Sequence, residues 1–395
     1  MPAPHLLSAQ AYFDSELDVS VSTLLTKLRH HLKMDVLFVS KFEGGCRTSV
    51  FVDADRPKEG ARFAHPLGDT FCKKIADGKL PEVIPDAREH HITRKMAVTD
   101  ELSIGAYLGV PIYLSDGDVY GTLCSFKHEG DPSLAAQDAS LLRFIAELIA
   151  EKVESLRNAE LRGDRIRRRI DRMTSRDGLE MHLQPIWSVH DERVCGYEAL
   201  ARFQTEPYLS PDIWFRDAEN VGRGEDLERM SLTRALDTLD SLPEHCFLSI
   251  NASPQAILSG QVSDALVGVN PERLVLEVTE HARIRDYNAF RASVGELRDQ
   301  GVRLAIDDAG SGYASFKHIL ELDADVIKLD LTLIRDIHVN VKKQALAGAL
   351  VAYARQLDTM VVAEGVECQE EFDTLKALDV DKIQGFYIGK PAAPH

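Results

Sequence analysis

The chain has 395 residues, with 44% hydrophobic and 28% charged side chains and a formal net charge of −17. That length and composition fit a soluble globular protein of two or three domains. So acidic a surface argues against broad DNA binding, although a local site can still attract a small anion. Cysteines 46, 72, 124, 195, 246 and 368 are scattered without a CxxC pair, which excludes a sequence-evident structural zinc site and reads as reduced thiols. No apolar run approaches the ~18 residues needed to span a membrane, and the start MPAPHLLSAQ lacks the pattern of a secretory signal, so a cytoplasmic protein without membrane insertion is expected.

Residues 1–135 read as one α/β domain. An amphipathic helix is expected around 19–33 (Val19, Leu24, Leu25, Leu28, Leu32), followed by strands DVLFVSKF and TSVFVDA about a Gly44-Gly45 turn. SIGAYLGVPIYL and VYGTLCSFKH flank Asp116-Gly117, a hairpin signal. Residues 136–175 read as a helical connector. Leu142, Ile149 and Leu156 recur at seven, with Ala146 and Val153 between them; the pattern lapses at Glu160 and Gly163 and resumes at Ile166, Ile170 and Met173. A homodimer seam and a plain amphipathic helix packed on its own domain both give this pattern. Arg165, Arg167, Arg168 and Arg169 read as a solvated face.

Residues 176–395 form the next domain. MHLQPIWSV and CGYEALARF, separated by HDER, read as an antiparallel opening pair. Strands then alternate with helical stretches, giving eight strand candidates and a TIM-like β/α barrel. The runs CGYEALARF, FLSINAS, LVLEVTE, VRLAIDDAG, DVIKLD and MVVAEGVE carry Glu198, Asn251, Glu277, Asp307, Asp308, Lys328, Glu364 and Glu367 at or near their ends. In such a barrel these ends converge on the face where active sites sit. Carboxylates crowded there repel one another, and hard divalent cations, which take oxygen ligands, relieve that repulsion. Any one acid at a strand end could instead cap the next helix. Lys328 resists that bland reading, because a lysine in so apolar a strand needs an anionic partner. Val275, Leu276, Leu304 and Ile306 read as core.

QPI, GYEALAR, LSINASPQ, LVLEVTE, LAIDDAGSGYASF, DVIKLD, VVAEGVE and IQGFYIGKP, in this order over about 215 residues, resemble the EAL-domain family of bacterial cyclic di-GMP phosphodiesterases. The resemblance implies hydrolysis of cyclic di-GMP to linear pGpG with two divalent cations, Mg2+ or Mn2+. It implies Glu198, Asn251, Glu277 and Asp307 on the first metal, with Asp307 bridging to a second that Asp308 and Glu364 also hold. Lys328 would stand beside the attacking water, with Glu364 the candidate base, Glu367 supporting the second metal's waters and Lys328, and Glu280 anchoring the loop after the fifth strand. Arg202 would contact phosphate, Gln184 the nucleotide, and Gln384 and Pro391 would line the pocket.

That loop, which reads DDFGTGYSSL in the family, is here Asp307-Asp308-Ala309-Gly310-Ser311-Gly312-Tyr313-Ala314-Ser315-Phe316. Ser311 keeps a hydroxyl, while Ala309 removes a large side chain and implies a looser loop. Residues about 20–130 resemble a GAF domain in DVLFVSKF, GDTFCKKIADGK, EVIPDAREH and IGAYLGVPIYLSDGDVYGTLCSF, implying a sensory module whose small-molecule ligand, if any, the sequence does not name. Cys72 there reads as a small core residue before it reads as a bilin or redox site, and His65, His90 and His91 as scattered surface histidines. No GGDEF-like or Walker-type motif is found. The expected function is therefore a GAF-regulated, homodimeric phosphodiesterase. A noncatalytic cyclic di-GMP receptor and an interaction scaffold are the rivals.

Overall fold

The structure, a computed structural model, describes residues 9–55, 64–175, 178–206, 208–279, 284–309 and 313–394, with the backbone alone for 9–20 and 313–316. The chain divides into two compact units, Met1–Arg162 and Gly163–His395. Among the described residues no helix is long and apolar enough to cross a membrane. All six cysteines are free.

The first unit is built on an antiparallel six-stranded sheet: β1 (Val36–Glu43), β2 (Cys46–Ala54), β3 (Ala64–Pro66), β4 (Val83–Ile84), β5 (Tyr107–Tyr113) and β6 (Val119–Phe126), in the order β3-β2-β1-β6-β5-β4. Side chains alternate across it. Leu37, Val39, Leu108, Val110 and Leu123 face one way, against Leu25, Leu28 and Leu32 of the helix Ala9–Leu32 and Leu142, Ala146, Ile149 and Val153 of the helix Ala136–Ser175. Val36, Phe38, Tyr107, Cys124 and Phe126 face the other, under Phe71, Cys72 and Ile75. The Asp116-Gly117 hairpin forms as expected: Leu114 N–H donates to Asp118 O at 2.9 Å, and β5 pairs with β6. Of the residues repeating at seven, Leu142 and Ile149 are thus buried against their own sheet, as the plain amphipathic reading expects, while Leu156 is half-buried.

In the second unit, β7 (Leu179–Ser188), β8 (Arg193–Phe203), β9 (Phe247–Asn251), β10 (Leu274–Thr279), β11 (Arg303–Ala309), β12 (Val326–Leu329), β13 (Met360–Ala363) and β14 (Lys382–Gln384) close into a barrel. All neighbours are parallel except β7, which runs antiparallel to both β8 and β14. Leu248, Ile250, Leu276, Leu304, Ile306 and Ile327 point outward into the core shared with the helices. Val275, Ala305, Val326 and Val362, with Ile186, point inward and fill the barrel's lower interior. The alternation that packs the outside with apolar residues therefore fixes which residues face in, and the site follows from it.

Candidate active site

Two residues beyond each inward apolar position, the same face of the strand turns polar. Val275 is followed by Glu277, Ala305 by Asp307, Val326 by Lys328 and Val362 by Glu364. On β9, Phe247 is followed by Ser249 and Asn251. The register completes the layer: Glu198 pairs with Gln184 on one side and Ser249 on the other, and Glu277 pairs with Asn251. An apolar plug below and an ionic layer above, toward the carboxyl ends of the parallel strands, is what a period of two delivers in a barrel.

Lys328 is at the centre and is only 2% exposed. Its Nζ lies 2.6 Å from Glu364, 2.7 Å from Glu277, 3.3 Å from Asp307 and 3.5 Å from Glu198. Burial alone would lower the ammonium's pKa, but the carboxylates of Glu198, Glu277, Glu364 and Asp307 outweigh it and raise the value well above the ordinary lysine range. One ammonium cannot satisfy four carboxylates. Burial, with Glu198, Asp307 and Glu364 close by, pushes the Glu277 carboxyl well up against the pull of Lys328. Burial, with Asp307 and Glu198, lifts Glu364 to about 8 despite Lys328. Burial acts on Glu198 in the same sense, but Lys328, Gln384 and Asn251 overcome it and hold that carboxyl low. Gln384 Nε2 donates to Glu198 at 2.6 Å and to Gln184 Oε1 at 3.1 Å, and Asn251 Nδ2 donates to Glu198 at 3.2 Å. Ser249 Oγ donates to Glu277 at 2.5 Å.

Asp307 and Asp308 are adjacent, and in a regular strand they would point to opposite faces. Here the β11–β12 register shifts between Ile306 and Ala309, and Asp308 takes φ +58°. This bulge lets both side chains reach the same place. Carboxylate oxygens of Asp307, Asp308 and Glu364 lie within 4.8 Å of one another. Glu277 Oε2 and Asp307 Oδ1 are buried without a well-directed hydrogen bond among the described residues, although both face the Lys328 ammonium. Excess buried carboxylate, incompletely satisfied and offering only oxygen donors, suits hard divalent cations.

The structure thus brings together Glu198, Asn251, Glu277, Asp307, Asp308, Lys328, Glu364, Gln184 and Gln384. Arg202 is half-buried near the end of β8, on the same face as Glu198, and its guanidinium donates to Ala201 O at 2.9 Å. Pro391 precedes Ala392, which pairs with Leu183 beside Gln184. Glu367 is not in the cluster: it is exposed and ion-paired with Arg335 at 3.1 Å. Glu280 and residues 310–312 lie outside the described residues, as does the side chain of Phe316, while Ala309 ends β11 fully buried. Ser249 is a contributor that reading strand ends misses. Its signal was its place two residues before Asn251. In the first unit Cys72 is buried against Cys124 and Tyr107, a core position. Neither it nor His65, His90 or His91 joins a metal-ligating group among the described residues.

An eight-stranded β/α barrel with one reversed strand, holding acids and a lysine at its carboxyl end, defines a class of barrel with an oxygen-rich ionic cluster. The EAL domain family model matches residues 167–391, more than half of the chain, and the GAF domain model matches residues 16–153. The chain belongs to the EAL-domain family and carries a GAF domain ahead of the barrel. It is 30% identical over 355 residues, 84% of its length, to the cyclic di-GMP phosphodiesterase NbdA of Pseudomonas aeruginosa. Among solved structures it is similar to the PaMucR phosphodiesterase in complex with c-di-GMP (28% identity, TM-score 0.53, 58% of this chain and 98% of that one). It is also similar to BlrP1 of Klebsiella pneumoniae in its manganese and cyclic di-GMP complex at pH 6 (33% identity, TM-score 0.50, 54% and 56% covered). The chain spans about half or less of the length of the curated relatives that it matches over most of its own residues.

Proposed function

We propose that this protein hydrolyses cyclic di-GMP to linear pGpG with two divalent cations, Mg2+ or Mn2+, and that its GAF domain regulates the reaction. The observation that carries the reading is Lys328 buried among four carboxylates, with the oxygens of Asp307, Asp308 and Glu364 grouped beside it. Relatives whose names state this activity or this ligand support it. Glu198, Asn251, Glu277 and Asp307 would hold one cation, and Asp307, Asp308 and Glu364 the other. When bound, the cations would supply activation of a water and neutralisation of phosphate charge.

The chain's own residues divide the remaining work. Water adds to one phosphorus and the P–O3′ bond breaks, so negative charge grows on the phosphoryl oxygens and the leaving oxygen. Lys328, kept charged by its carboxylates, is a fixed counter-charge that needs no reorganisation as that charge develops. Glu364 is the candidate base for the attacking water, in the ionised form that a bound cation would favour. Arg202 offers a planar donor fork to a phosphate. Gln184, Gln384 and Pro391 line the nucleotide side. Ser249 and Asn251 orient Glu277 and Glu198. Glu367 holds the Glu364 segment through Arg335, and Glu280 is assigned to anchoring the loop after β11. Regulation is supported by the helix Ala136–Ser175, whose residues pack into the core of each unit.

The test is incubation with cyclic di-GMP and Mg2+ or Mn2+, an EDTA control, and chromatography of the products. Metal-dependent pGpG is expected from the native chain and none from Glu198→Ala. Turnover that survives in that variant or in EDTA would overturn the assignment. Binding without turnover would favour the receptor reading.

A further inference from the structure

We propose that His338, Cys368 and Glu371 form a second metal site, for a zinc-type transition cation, separate from the oxygen cluster inside the barrel. A ring nitrogen, the thiol sulfur and a carboxylate oxygen of these three residues all lie within 4.8 Å of one another. His338 is in the turn Ile337–Val339 after β12, Cys368 is the N-cap of the helix Gln369–Ala377 after β13, and Glu371 is in that helix's first turn. Tetrahedral zinc, with bonds of about 2.0–2.3 Å, has ligand-to-ligand edges of about 3.3–3.6 Å. Adjustments of roughly an ångström, within the reach of side-chain torsions, would close the set.

Two further observations point to a ligand. The Nδ1 of His338 is buried with no hydrogen-bond partner among the described residues. A buried polar atom left so costs about 1–3 kcal/mol, and coordination would remove that cost. Glu371 is 4% exposed, and its two oxygens accept the backbone N–H groups of Asp336 and Glu367, each at 2.8 Å. It is therefore fixed in place in the way that outer hydrogen bonds fix a metal-binding carboxylate. A water or the exposed Glu370, in the same first helical turn, could supply the fourth donor.

The nitrogen, sulfur and oxygen donors differ in kind from the all-oxygen cluster. Zinc-type cations favour the former and Mg2+ the latter, so the two sites would select different metals. A cation here would tie the segment after β12 to the one after β13, which carries Glu364 and is already bridged by the Arg335–Glu367 pair.

Cobalt(II) tests this on the full chain. The protein is stripped with EDTA, kept reduced, saturated with Mg2+ and titrated with Co2+. Thiolate bound to Co2+ gives a near-ultraviolet charge-transfer band that an oxygen-only site cannot produce. One equivalent should develop the band, and one equivalent of Zn2+ should displace it. Cys368→Ser should abolish the band, and serine, a good helix cap, keeps the local fold. His338→Gln should weaken binding about tenfold or more, while Glu198→Ala should leave the band in place. Absence of the band, its persistence in Cys368→Ser, or unchanged affinity in His338→Gln would overturn the proposal.

Discussion

Replacing Glu364 by glutamine in metal-free protein isolates one proton held by the barrel cluster. Burial and the neighbouring Asp307 and Glu198 lift this carboxyl from 4.5 to about 8. Between these values the folded state keeps the proton while the unfolded chain has released it. The folded state then binds more protons, so stability falls as pH rises, by about 1.4 kcal/mol per pH unit. The contribution is fully present below about pH 4.5 and lost by about pH 8, so an assay from pH 5 to 8 should lose about 4 kcal/mol. Glutamine cannot titrate and the histidines are common to both proteins, while Glu277, which feels the Glu364 charge, is relieved of that repulsion in the variant. Thermal melts in EDTA should therefore show the wild type losing ground to Glu364→Gln across this range. At 2–4 °C per kcal/mol for a unit of this size, the change in the difference is about 8–16 °C. Adding Mg2+ should raise the wild-type melting temperature more at pH 8 than at pH 5, since protons compete for the same oxygens. Parallel melting curves for the two proteins over the whole range would refute the reasoning.

Lys328→Met removes the ammonium and leaves four carboxylates facing one another, so denaturant unfolding in EDTA should show a loss of about 3–5 kcal/mol. Divalent cation should recover part of it, and hydrolysis should fall about a hundredfold or more; unchanged stability would count against a central role for the lysine. Gly365 follows Glu364 with φ +68°, and a Cβ there would meet Leu331 Cβ at 2.5 Å. Gly365→Ala should cost about 1–3 kcal/mol in denaturant unfolding and lower kcat by displacing Glu364, with circular dichroism unchanged. Removing residues 1–135 should change the rate of hydrolysis or the sedimentation behaviour, and if neither moves, regulation by the GAF domain fails.

The barrel and most of its site were legible because one rule governs both. Alternation that places Leu276, Leu304 and Ile306 outside must place Glu277, Ala305 and Asp307 inside, and sequence shows alternation directly. What sequence does not show is where alternation breaks. Asp307 and Asp308 can share a site only through the bulge after Ile306, a property of the pairing with β12 that neither segment reveals alone. Glu367 reads as one more strand-end acid, yet Gly365 turns the chain first and Glu367 meets Arg335 on the surface. Ser249 becomes informative only when register sets it beside Glu198 and folding brings its hydroxyl to Glu277. The spacing of Leu142, Ile149 and Leu156 suits a partner helix or a sheet equally, and the sheet of the same unit buries Leu142 and Ile149.

Lys328 would also set how this cluster takes up the proposed cations. With no lysine, more of the facing carboxylates would hold protons, each of which an arriving cation would have to displace. With several cationic side chains, charge would balance and an arriving cation would be repelled. One ammonium among four carboxylates leaves a deficit that protons on Glu277 and Glu364 fill, and both groups are held in readiness to do so. A divalent cation displacing those protons meets oxygens already desolvated and positioned by Ser249, Asn251 and Gln384. The cost of gathering the carboxylates is met during folding, so cation binding can proceed without rearranging the barrel.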